Sequence, residues 1–141
     1  MPSEFTVIRR VQFAETDMAG IVHFSNYFRM MEEVEHAFFR SLGLSVSMSL
    51  DGRDIGWPRI ACSCDYTGPL RFEDEVELRL RVVKVGGKSL TYEVDFIREG
   101  QRIALGRLTS VCCELGENGM RPIPIPQPIR ELIGECHVEQ A

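Results

Sequence analysis

The chain has 141 residues, of which 44% are hydrophobic, 9% aromatic and 26% charged. That is the composition of one globular domain, able to bury roughly two thirds of the surface its unfolded form exposes, and it excludes disordered, collagen-like and large multidomain proteins. Sixteen Lys and Arg against twenty-one Asp and Glu give a net charge of -5, so a polyanion would have to be met by a local basic patch, and nucleic-acid binding is not expected.

Phe5, Val7, Arg9, Val11 and Phe13 fall on one side of an alternating run, which predicts a first strand over 5–13. Residues 14–24 follow neither period and read as a structured loop. Tyr27, Met30, Met31, Val34, Ala37, Phe38 and Leu42 then recur at helical spacing, predicting a helix over about 26–42 with Ser25 or Asn26 as N-cap and Gly43 closing its C-terminus. Phe28 and Phe39 widen the apolar stripe, so this helix must be covered on more than one side. Residues 44–58, rich in Ser, Gly and Asp and ending in Trp57-Pro58, read as a crossing loop.

From here the period is two. Ile60, Cys62, Cys64 and Tyr66 alternate, as do Val76, Leu78, Leu80 and Val82, and then Leu90, Tyr92, Val94 and Phe96. Gly86-Gly87 and Glu99-Gly100 have the spacing of hairpin turns, and the last run, 102–113, loses register near Gly106-Arg107, where a bulge is expected. Four or five antiparallel strands with one long helix near the front make an α+β fold, one curved sheet around one helix, in a single domain over 1–141. An open sheet edge is a pairing hazard, so an edge-to-edge dimer is expected. The prolines of Arg121–Pro128 exclude a central strand; an extended surface segment and a short helical end near 129–133 are expected.

No apolar run approaches the roughly 18 residues that span a bilayer, and the N-terminus has no leader-like apolar stretch, so an untargeted cytoplasmic protein is expected. The five cysteines, Cys62, Cys64, Cys112, Cys113 and Cys136, form no Cys-x-x-Cys pair; they read as small strand residues in a reducing compartment, without a disulfide framework or zinc site.

The loop before the helix is where chemistry is expected. Asp17 precedes Gly20 by three residues and Asn26 by nine, on a chain about to present the free N–H groups of a helix start. A carboxylate beside such donors has the two parts acyl transfer needs, a nucleophile or general base and a stabiliser for the tetrahedral oxygen. By spacing alone, a solvent-facing Asp that merely shapes a turn is the better fit. His23 reads either as a group bonding the substrate or a water, or as an ordinary lining residue; His36 and His137 read as structural or exposed. Glu15, Asp17 and His23 carry ligand-type side chains but match no metal motif, and Gly-x-Ser-x-Gly and a P-loop are both missing.

The stretch Phe13-x-Glu15-Thr16-Asp17-Met18-Ala19-Gly20-Ile21-Val22-x-Phe24-x-Asn26-Tyr27 resembles the N-terminal signature of hotdog-fold acyl-CoA thioesterases of the 4-hydroxybenzoyl-CoA thioesterase type. The likeness runs on through the helix, the Tyr66–Glu75 segment and the Gly86–Leu90 hairpin, to about residue 113. The resemblance implies an acyl-CoA thioesterase without metal or redox cofactor, in which Asp17 is the catalytic carboxylate and the Phe24 amide polarises the thioester carbonyl. It further implies a pocket at a subunit interface of a homodimer or homotetramer, where Gly20, His23, Asn26 and Tyr27 meet the substrate. Lys88 and Ser89 would come from the paired subunit to hold coenzyme A phosphates, with Lys84, Arg98 and Arg121 as further basic candidates. Two positions depart from the family pattern, His23 where an aromatic residue is frequent and Glu15 where Asp is common, and both bear on substrate choice or pH profile. The alternatives are an aromatic-specific enzyme such as a dihydroxynaphthoyl-CoA hydrolase, or a non-catalytic hotdog protein binding acyl-CoA or an acyl carrier protein. A hydratase is weaker still, since the chain carries no Asp-His hydratase signature.

Overall fold

The computed structural model describes residues 2–136. Its elements run β1 (Glu4–Arg10), α1 (Ser25–Ser41), β2 (Met48–Leu50), β3 (Arg53–Gly56), β4 (Arg59–Tyr66), β5 (Glu75–Val85), β6 (Ser89–Arg98), β7 (Gln101–Val111), β8 (Cys113–Gly116), β9 (Gly119–Pro122) and α2 (Gln127–Arg130), with a 3-10 turn at Phe13–Glu15. A five-stranded antiparallel sheet has the order β1-β5-β6-β7-β4, and β2, β3, β8 and β9 form a smaller one. The alternation read from the sequence puts Leu78, Leu80, Val82, Leu90, Tyr92, Val94 and Phe96 in the interior, where they meet Tyr27, Met30, Met31, Val34, Phe38 and Phe39 of α1. This is the helix-in-a-sheet arrangement of the hotdog fold.

Several expectations are corrected. β1 stops at Arg10, because the chain turns at Phe13–Glu15, and this leaves Phe13 75% exposed instead of in the core. Residues 44–58 contain the hairpin β2–β3, turned by Asp51 and Gly52 at φ 51 and 75, a left-handed pair that Asp-Gly favours. Its strands of three and four residues are too short to show a period. The run 102–113 divides at Cys112, where the chain steps from the large sheet to the small one.

No bulge occurs at Gly106. Val94 pairs with Gly106 and Glu93 with Arg107 in unbroken register, and the shifts lie at Phe96/Ile97 and Arg59/Ala61 instead. Gly106 serves the close approach of α1, because a Cβ there would stand 2.5 Å from Met31 Sδ and 2.7 Å from its Cε. Met31 is itself buried, so Gly106→Ala is expected to destabilise the fold by about 1–3 kcal/mol, read as a shifted urea midpoint.

The proline-rich tail is more than a surface segment. Ile123 and Ile125, alternating with prolines, donate their amides to Cys112 O and Gly87 O, both at 2.9 Å. Their side chains, with those of Ile129 and Ile133, are buried and join the core. Arg130 secures the strap by donating to Gly86 O and Gly87 O at 2.7 and 3.0 Å. Cys112 and Cys113 are buried as expected of strand residues, whereas Cys62 on the edge strand β4 is exposed and Cys64 half-buried. Among the described residues no helix is long and apolar enough to cross a membrane.

Candidate active site

Residues 15–23 fold back on themselves. Thr16 and Val22 bridge, Asp17 N–H donates to Ile21 O at 3.0 Å and His23 N–H to Glu15 O at 2.9 Å. Gly20 closes the turn at φ 79, its N–H reaching Asp17 O at 2.9 Å. Asp17 Oδ1 accepts from Ala19 N–H at 2.8 Å, the local bond that makes Asp a turn residue. Among the described residues nothing bonds its other oxygen.

Glu15 ties this loop to the scaffold. Its carboxylate takes both N–H groups of Arg9 at 2.9 and 2.8 Å and the amide of Gln12 at 2.7 Å, while Arg9 also meets Glu33 of α1 at 2.9 Å. The departure at position 15 thus occupies a bracing position between β1 and α1. The expected side-chain N-cap is also corrected: α1 begins after Phe24, whose dihedrals are already helical, and no side chain caps it. Asn26 instead donates Nδ2 to Glu15 O at 2.9 Å, and Ser25 Oγ bonds His23 Nδ1 at 2.7 Å. The tightened turn uses Asn26 N–H and Tyr27 N–H on His23 O and Phe24 O. Among the described residues no acceptor meets the Phe24 N–H.

Asp17, Ile21, Val22, Phe24, Tyr27, Tyr66, Gly68 and Pro69 line one cleft of about 300 Å³. Val22 N–H holds the loop to the far wall through Leu70 O at 2.8 Å. Tyr66 donates its hydroxyl to Phe24 O at 3.3 Å and meets the Tyr27 ring edge-on at 4.7 Å. Burial, reinforced by Cys64 beside it, pushes the Tyr66 phenol up to about 12, so it stays a neutral donor. A wider depression of about 380 Å³ over the β8–β9 turn, bordered by the Glu114–Arg121 ion pair, has no helix start beside it.

The structure therefore brings Asp17, Phe24 and Tyr27 together. Gly20, His23 and Asn26 stand in the loop and helix start behind them, with the His23 ring against that of Phe24 at 4.5 Å. Lys88 and Ser89 are not in this cleft: they follow the far end of β5, whose eleven residues separate them from the Arg10–Glu75 end by roughly 30 Å. Tyr66, Gly68 and Pro69 were missed as lining residues, although the segment holding them carried part of the family likeness. Glu15, Asp17 and His23 do not converge, and among the described residues no group of three or more His, Cys, Asp or Glu is placed to hold a metal ion. His36 is half-buried 3.8 Å from Glu35, and His137 lies outside the described residues.

The sequence model of the thioesterase superfamily matches residues 19–105. The chain belongs to the thioesterase superfamily. A solved gentisyl-coenzyme A thioesterase shares 33% identity, covers 92% of this chain and 100% of its own, and superposes with a TM-score of 0.80. A 1,4-dihydroxy-2-naphthoyl-CoA hydrolase of Synechocystis sp. is 27% identical over 124 residues, 86% of this chain and 90% of that protein. An acyl-CoA thioesterase of Haemophilus influenzae is 21% identical over 121 residues, 86% and 88% of the respective chains. Among the chemistries open to the fold, this membership selects thioester hydrolysis.

Proposed function

We propose that this thioesterase hydrolyses acyl-CoA, R–CO–S–CoA, to a carboxylic acid and free coenzyme A, with Asp17 and the Phe24 amide as its working parts. The observation that carries the proposal is their convergence: Asp17, with one carboxylate oxygen free among the described residues, and Phe24, whose backbone N–H meets no acceptor among them, line the same cleft. The thioester oxygen accepts from Phe24 N–H, which strengthens as negative charge develops on that oxygen. Asp17 either attacks the carbonyl carbon, forming a mixed anhydride that water then opens, or draws the proton from a water that attacks directly. In both routes the C–S bond breaks, the thiolate leaves and takes up a proton, and the net co-reactant is one water. Gly20, His23, Asn26 and Tyr27 hold the loop and helix start against the substrate, and no metal or redox group enters the scheme.

The groove is completed by a second copy. β4 ends the large sheet, and Ile60 on it is 65% exposed and Tyr66 43%. The opposite edge, β1, is engaged at its start by the tail, where Gly134 N–H meets Pro2 O. Antiparallel pairing of two β4 strands about their midpoint sets Arg59 of one copy opposite Tyr66 of the other. The end of the second copy that bears Lys88 and Ser89 then lies at the same end as Asp17 of the first, where those residues can meet coenzyme A phosphates. We assign the activity to the cytoplasm, where acyl-CoA is made.

The aromatic lining, Phe24, Tyr27 and Tyr66, and the hydroxylated aryl thioesters named for two relatives favour an aromatic acyl group as the more specific reading. Thiol release from aryl, short aliphatic and long aliphatic acyl-CoA, with one acyl carrier protein thioester, tests the assignment. Hydrolysis of at least one thioester is expected, with aryl-CoA leading in kcat/KM. Binding without turnover on the whole panel would replace the hydrolase by an acyl-CoA sensor.

A further inference from the structure

A second, smaller cavity lies between α1 and the open edge of β4. It encloses about 100 Å³ and is lined by Phe28, Met31, Glu32, Arg59, Cys62 and Leu108. Four of these walls are apolar or thiol, and the cationic group at its end is held with unusual firmness. Arg59 Nη1 donates to Glu35 Oε2 at 3.0 Å and to Trp57 O at 3.2 Å, and Nη2 donates to Glu35 Oε1 at 2.5 Å. Glu35 is 1% exposed and fixes the guanidinium from behind. A guanidinium has five N–H donors, so three are committed and two, on Nε and Nη2, are left. Glu32, at 3.6 Å from Nη2, is close enough to attract but not to bond, and its side chain is 57% exposed.

The two cavities become neighbours only in the paired form. Arg59 and Cys62 lie opposite Ser110 and Leu108 of β7, on the helix side of the sheet, and Tyr66 lies on that side opposite Ala104. Antiparallel pairing of β4 keeps both helices on one face of a continuous sheet and puts the slot of one copy beside the Tyr66 wall of the other copy's cleft. In that arrangement an acyl group seated in the cleft of the first copy and passing its Tyr66 wall meets this slot. We propose that Arg59, positioned by buried Glu35, is a specificity-determining residue that selects a short acyl group carrying an oxygen acceptor at the end remote from the thioester. Size and chemistry agree on this. A cavity of about 150 Å³ holds one benzene ring, so a slot of about 100 Å³ takes only the far edge of a ring with its substituent and excludes a long alkyl chain. The two free N–H groups of this half-buried, firmly held guanidinium gain a charge-assisted hydrogen bond from a ring hydroxyl or carboxylate and gain nothing from a bare ring edge.

The inference rests on the hydrolase reading and on β4 pairing, and its test separates the two. The kcat/KM values of benzoyl-CoA, meta- and para-hydroxybenzoyl-CoA and palmitoyl-CoA are compared for the wild type, for Arg59→Lys and for the double variant Glu35→Leu with Arg59→Met. The double variant removes both charges together and leaves no unpaired buried ion. The wild type is expected to favour a hydroxybenzoyl over the benzoyl thioester by at least about tenfold, the double variant to bring that ratio near one, and Arg59→Lys, which loses the planar fork, to fall between. Should the double variant fail to fold, the lysine variant carries the same comparison. A ratio unchanged by both variants, or palmitoyl-CoA as the best wild-type substrate, overturns this inference and leaves the hydrolase intact. A wild type inert on every thioester overturns the hydrolase reading and this inference with it.

Discussion

Asp17→Asn is expected to lower kcat by roughly 10²- to 10⁴-fold while leaving the fold and KM nearly unchanged, as measured by thiol release and a melting curve on the same sample. Asn is a close test because its side-chain oxygen can still accept from Ala19 N–H, the 2.8 Å bond that Asp17 makes in the turn. What the variant loses is the negative charge and basicity of the second oxygen, which border the cleft beside the Phe24 N–H. A loss confined to kcat marks a group that acts in the transition state. Full activity would return Asp17 to the role of a turn residue and remove the carboxylate from the mechanism.

Arg59→Ala is expected to destabilise the protein by about 3–5 kcal/mol, lowering Tm by on the order of 10 °C, because it leaves the Glu35 carboxyl, 1% exposed, without its partner in the core. For a domain whose total stability is about 5–15 kcal/mol this is a large single-site effect. Glu35 also sets a sign for pH dependence. Burial lifts its pKa, outweighing the attraction of Arg59 that lowers it. The folded chain therefore keeps the Glu35 proton over a range in which the unfolded chain has lost it. The corresponding stability is complete below about 4.5, the ordinary value, and is lost as pH rises through the lifted value. Relative to Glu35→Gln, which cannot titrate, the wild type should lose stability in urea titrations over the range in which pH rises from the ordinary carboxyl value of 4.5 through the lifted one. A constant difference across that range would mean that Glu35 titrates alike in both states.

Local patterns in the chain were sufficient for the outline of the fold. The period of 3.6 from Tyr27 to Leu42 and the period of two in β5 each follow from burial on one face, and burial on one face leaves a mark in a single segment. Gly43, at φ 75, ends the helix where it was expected, and Glu99 and Gly100, at φ 50 and 77, turn the hairpin. The short hairpin at 48–56 escaped because three residues cannot display a period, and the isoleucines of the tail escaped because alternation with proline hides an extended, buried segment.

The site divides along the same line. A carboxylate near a helix start is a feature of one contiguous loop, so Asp17 is legible as a candidate in the residues themselves, whereas the Phe24 amide is singled out by the family resemblance. Tyr66 and Pro69 reach the cleft from a distant stretch of the chain, Tyr66 meeting Phe24 across 42 positions, and Glu35 meets Arg59 across 24, contacts that depend on how α1 lies in the sheet. The distance from Lys88 to Asp17 within one chain is likewise a property of strand direction, invisible to any window of sequence. Periodicity is a property of neighbours along the chain, whereas a cleft is a property of neighbours in space, and only packing converts one into the other.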